Sequence, residues 1–169
     1  MARASSGFRR EASLEAADRV LTRVAFNSGG DVLAVPDQSG TVHVLGYPDL
    51  SVRDKLIASA KALWTATWSG DASRLAVAGR DNTVHIFDIG RRQETLALRG
   101  HTDDVHAIGW SADDAEMFSA SYDGTLRLWR TDNGAEVRTI RAHGARIEDA
   151  CWEPDSRRVA TGGRDGRIR

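Results

Sequence analysis

The chain has 169 residues, 41% of them hydrophobic, and its 23 lysines and arginines nearly cancel 24 aspartates and glutamates for a net charge of −1. A chain of this size buries about 70% of its unfolded surface as one ordinary domain, and its balanced charge supplies no field to hold nucleic acid or an anionic membrane. The single cysteine, Cys151, excludes an internal disulfide framework and suits a reducing compartment. The N-terminal MARASSGFRREASLEAAD lacks the apolar core of a signal peptide, and no run approaches the ~18 apolar residues of a membrane span, so the expected location is cytoplasmic.

Residues 1–10 are small and polar and are expected to form a flexible lead-in. From residue 11 onward the chain repeats itself at a step of 42: Phe26, Trp68, Trp110 and Trp152 share one column, and Asp81, Asp123 and Asp165 share another. Self-similarity at a fixed period of ~40 residues marks stacked supersecondary units. Four units follow, at about 11–45, 53–87, 95–129 and 137–169.

Each unit is expected to hold four short strands. An outer, weakly alternating strand comes first, near 11–14 and then as SVRDKLI, QETLALRG and EVRTIRA. The next strand carries the columns Leu21, Leu63, Val105, Ile147 and Val24, Ala66, Ile108, Ala150, both expected to be buried. Beside them a small column (Ala25, Thr67, Gly109, Cys151) precedes the aromatic one, so Cys151 is expected to be a buried space-filler. A turn containing Asp71, Asp113 or Asp155 leads to a strand whose consecutive apolar residues imply that both faces are covered. A hairpin turn at Ser39–Gly40, Asp81–Asn82, Asp123–Gly124 and Asp165–Gly166 then opens TVHVL, TVHIF and TLRLW.

With Gly100 and His101 before the first strand and Trp129 closing the third, the chain resembles the WD-repeat β-propeller family. The resemblance implies an all-β fold of four-stranded antiparallel blades, about four of them, forming an incomplete propeller. It also implies a hydrogen-bonded network inside each blade, filled in the third copy by His101, Ser119, Asp123 and Trp129 and in the fourth by His143, Thr161 and Asp165. A buried carboxylate needs donors, and imidazole, hydroxyl and indole are each expected to supply one. The second copy keeps Asp81 but has Ser59, Val77 and Phe87 elsewhere, and the first keeps none of the four, with Ala17, Val35, Ser39 and Leu45.

His43 and His85 share a third-strand column with Arg127 and Arg169, where packing of any long polar side chain explains them. No glycine-rich phosphate loop opens a helix, Ser119, His101 and Asp123 lie in a blade interior without oxyanion donors, and no catalytic residue, cofactor or metal is expected. A binding site is expected instead on one rim, where the residue before each turn aspartate (Arg80, Tyr122, Arg164, with Gln38 in the first copy) joins the variable column Trp64, His106, Glu148. The expected function is a non-catalytic scaffold for other proteins. The alternatives are a fragment of a larger multidomain regulatory protein, and an enzyme or small-molecule binder using a central channel lined by Arg23, Thr65, Ala107 and Asp149. An unclosed ring exposes its end blades; closure by the N-terminal strand, a homodimer or continuation of the chain would cover them.

Overall fold

A computed structural model describes residues 20–153 and 158–169; the expected lead-in, the outer strand near 11–14 and Asp155 lie outside the described residues. The described structure is all-β, built as four antiparallel sheets that follow one another along the chain. The first contains β1 (Ala25–Phe26), β2 (Val32–Pro36), β3 (Thr41–Gly46) and β4 (Val52–Ile57). The second contains β5 (Leu63–Trp68), β6 (Arg74–Gly79), β7 (Thr83–Asp88) and β8 (Gln93–Arg99). The third contains β9 (Val105–Trp110), β10 (Glu116–Ser121), β11 (Thr125–Arg130) and β12 (Glu136–Arg141), and β13 (Ile147–Trp152) pairs with β14 (Val159–Gly163) in the fourth. This is an incomplete β-propeller.

The sequence repeat and the sheet are out of phase by one strand. The outer strand that opens each repeat pairs with the third strand of the repeat before it, as Val42 with Leu56, Ile86 with Leu96 and Leu126 with Ile140. Each repeat therefore contributes one strand to its neighbour, and consecutive sheets are tied by the chain itself.

Packing between sheets uses the alternation of strand side chains. On β6, Leu75 and Val77 face the first sheet, meeting Val42, Val44 and Leu56, while Ala76 and Ala78 face the third, meeting Val105, Ile108 and Met117. On β10, Met117 faces back to the second sheet and Phe118 forward to Ile147 and Trp152 of the fourth. Both faces are apolar because both are covered.

The aromatic column explains the small one. Trp68 Nε1 donates to the Ala25 carbonyl (3.0 Å), Trp110 Nε1 to Thr67 (3.2 Å) and Trp152 Nε1 to Gly109 (3.1 Å). Each indole thus reaches back one sheet and bonds the main chain of the residue just before the preceding aromatic, which must be small to admit the ring. Gly109 is the tightest case: a Cβ there would lie 2.6 Å from Phe118 Cε1 and 3.3 Å from Trp152 Cδ1.

Four burial expectations are corrected at the two ends. Leu21 and Val24 are 42% and 58% exposed, because among the described residues the first sheet is packed against another on one side only. Ala150 is half-buried and Cys151 is exposed rather than a buried space-filler. On β13 no further indole covers the small column among the described residues. We expect Gly109→Ala to lower stability by about 1–3 kcal/mol through overpacking against Phe118, read as a lower urea midpoint, with Ala107→Gly as a control that adds no atom to this contact.

Candidate functional site

The third copy carries the complete network, as a directed chain. Trp129 Nε1 donates to Ser119 Oγ (2.8 Å), Ser119 Oγ lies 2.7 Å from His101 Nε2, and His101 Nδ1 lies 2.9 Å from Asp123 Oδ2. With the proton on Nδ1, every donor in this series meets an acceptor. Indole and serine hydroxyl therefore do not donate to the carboxylate, contrary to the sequence expectation. Asp123 is instead held by His101, the Thr125 hydroxyl (2.6 Å) and the main-chain N–H groups of Thr102 (3.0 Å) and Thr125 (2.8 Å). Burial pushes the carboxyl upward, but these bonds outweigh it and keep Asp123 far below the usual carboxylate range. In the fourth copy His143 joins Thr161 Oγ1 (2.9 Å) to Asp165 (2.9 Å), and Arg169 adds a second contact to that carboxylate (2.8 Å).

The first two copies replace the missing imidazole rather than lose it. His85 Nε2 contacts Asp81 Oδ2 at 2.8 Å and its Nδ1 contacts Glu94 Oε1 at 2.9 Å. His43 Nε2 contacts Asp37 Oδ2 at 3.0 Å, and Asp37 also accepts from the Ser39 hydroxyl (2.7 Å) and the Thr41 N–H (3.1 Å). Packing alone is thus not the role of this column, and the first copy has a network of its own. Where the loop before the first strand lacks histidine, the third strand supplies one. In the third copy, where His101 is present, the same column holds Arg127, which pairs with Glu136 instead of the turn carboxylate.

These carboxylates fix the hairpin turns that carry the rim. Arg80, Tyr122 and Arg164 each stand immediately before one, at Asp81, Asp123 and Asp165. The second half of the rim comes from a β-bulge repeated in the inner strands β5, β9 and β13. Pairing with the second strand runs from Leu63 to Thr65, from Val105 to Ala107 and from Ile147 to Asp149, skipping Trp64, His106 and Glu148. A bulged residue is freed from the ladder and re-aimed: His106 and Glu148 turn toward the hairpin residues Tyr122 and Arg164, and Trp64 toward Asp104 and His106 of the next sheet.

The result is a continuous row across three sheets. Trp64 Nε1 donates to Asp104 Oδ2 (2.9 Å), and its ring stacks on His106 at 6.2 Å between centroids. His106 stacks on Tyr122 at 4.5 Å, and the Arg146 guanidinium lies 4.6 Å from the tyrosine ring centroid. Arg164 Nε pairs with Glu148 Oε1 at 2.7 Å. Burial, and next the Glu148 charge, raise the Tyr122 hydroxyl above its ordinary value. At the other end, Gln38, Ala60, Lys61, Ala62, Trp64 and Arg80 line a cleft of about 550 Å³.

The model of the WD domain, G-beta repeat, matches residues 52–88, 92–130 and 134–169. The chain belongs to the WD40 family. No curated protein matches it significantly. The matched segments leave out residues before 52, yet β1 to β4 form a four-stranded sheet there, so the WD40 architecture extends beyond the recognisable repeats.

All six residues expected on the rim of this WD40 chain, Trp64, Arg80, His106, Tyr122, Glu148 and Arg164, lie on one edge of the sheets. The column proposed for a channel splits: Thr65 and Ala107 are buried, Arg23 and Asp149 exposed. Sequence reasoning missed Asp104 and Arg146, which brace the row from one column, and Ala62 in that same column and Lys61 beside it, which line the cleft. The available signal was that column, Ala62, Asp104 and Arg146, small in one copy and oppositely charged in two.

Two outcomes test the networks. Ser119→Ala leaves the buried Trp129 indole N–H without its acceptor and is expected to cost about 1–3 kcal/mol in chemical denaturation. His85 is held above its ordinary value of 6.5: burial pushes it down, but hydrogen bonds to Asp81 and Glu94 outweigh that. A folded-state pKa above the unfolded one gives stability that is full below pH 6.5 and is lost as pH rises through the folded value. The stability gap between the native chain and His85→Gln should therefore shrink from pH 6 toward higher pH, as measured by denaturant titrations across about pH 6–9.

Proposed function

We propose that this WD40 chain is a non-catalytic scaffold whose protein partners dock on the rim formed by Trp64, Arg80, His106, Tyr122, Glu148 and Arg164. WD40 repeats generally mediate protein–protein interaction, and the observation that carries the reading here is the row itself. Five side chains from three sheets, Trp64, His106, Tyr122, Glu148 and Arg164, form a contacting row, and Arg80 lines the cleft beside Trp64, at bulges and pre-turn positions that the strand ladders do not use for their own pairing. Arginine, tyrosine and tryptophan combine contact area with directed hydrogen bonds, which is why they dominate interface energetics. The rings are braced against one another, so little side-chain freedom remains to be lost on binding.

The Ser119–His101–Asp123 series supports no hydrolase reading, since the serine and histidine are buried and the hydroxyl is already engaged by the Trp129 indole. The expected outcome is that replacing Arg80, Tyr122 and Arg164 together by alanine abolishes capture of a binding protein while the thermal melt stays cooperative. Undiminished capture by the folded triple variant would refute the rim.

A further inference from the structure

The rim is uneven in one respect that bears on what it binds. Arg164 is neutralised by Glu148, and Arg146 lies against Tyr122. Asp104, the acid nearest Trp64, already accepts the indole N–H. Lys61 and Arg80, which both line the cleft, have no carboxylate partner among the described residues, and both are exposed. Ala60, Ala62, Trp64 and the Gln38 amide line the same cleft.

We infer that this cleft takes a short acidic peptide segment of a partner protein, with an apolar side chain seated against Trp64 and carboxylates on Lys61 and Arg80. The inference rests on the rim reading above and names the chemistry of its partner. Charge complementarity carries it: two unneutralised cations line one cleft together with Trp64, whereas Arg164 and Arg146 on the same rim are already engaged. Guanidinium offers a carboxylate two parallel hydrogen bonds, and ammonium offers a point charge, so the pair favours Asp or Glu close to an apolar residue. A volume of about 550 Å³ falls within the range of ligand clefts and suits a few extended residues, not a folded surface. The Gln38 amide can both donate to and accept from a peptide main chain. A nucleic acid fits less well, because its phosphates would run on toward Asp103, Asp104 and Glu148.

The inference is tested with a library of extended nonapeptides of random sequence on beads, probed with the 169-residue chain and with its Lys61→Glu/Arg80→Glu variant. Both positions are exposed, so the variant is expected to fold, and a matching thermal melt verifies this. The native chain should retain peptides enriched in Asp and Glu beside an apolar residue, and the charge-reversed variant should bind those same peptides about tenfold or more weakly. Retention of peptides without acidic enrichment, an enrichment unchanged in the variant, or no retained peptide overturns the inference. If acidic enrichment is absent while the Arg80, Tyr122 and Arg164 triple variant still loses its captured protein, the rim reading stands and the acidic partner falls. If that capture also survives, both fall.

Discussion

A carboxylate beneath each hairpin turn is the constraint on which the rest of this structure depends. Asp37, Asp81, Asp123 and Asp165 sit where the second strand turns into the third, against imidazoles and, in most copies, a threonine. An ionised carboxyl withdrawn from water is costly unless its oxygens are met by donors. Meeting them pins the turn, and the turn holds the residue just before it at the rim. Arg80 and Tyr122 are therefore placed by half-buried polar chemistry two steps removed from any partner, and Arg164 by the exposed Asp165, which His143 and Arg169 hold.

Four copies of one environment show which parts of that chemistry are interchangeable. What the carboxylate requires is an imidazole, not a particular backbone position for it. It comes from the loop in His101 and His143 and from the third strand in His43 and His85. The carboxylate can move as well: in the first copy Asp37 lies two residues before the column shared by the other three, with Ser39 standing in that column and donating back to it. The inter-sheet contact varies less, because an indole N–H reaching a main-chain carbonyl requires the small residue beneath it at each step.

This pattern also sets what the sequence could disclose. His101, Ser119, Asp123 and Trp129 were legible because each stands at its family spacing. The same spacing hid the roles of His43 and His85, since reading by column assigns a residue the role of its column. Trp64 stood out as an indole among polar residues, but that its column is a bulge follows only from the register of β5 against β6. Leu21, Val24 and Cys151 belong to columns that are buried when a sheet packs on either side, and burial of that kind depends on neighbours rather than on the residue.

The interchange of imidazole donors is the central claim, and a transplant tests it most directly. His85→Arg gives the second copy the third-strand residue of the third copy and removes the imidazole from Asp81. Adding Ser59→His and Val77→Ser should rebuild the loop imidazole and its hydroxyl partner. The free energy of unfolding, measured by urea titration, is expected to fall in His85→Arg and to recover most of the loss in the triple variant. A triple variant no more stable than His85→Arg alone would contradict the account, because the two histidine positions would then not serve the same carboxylate.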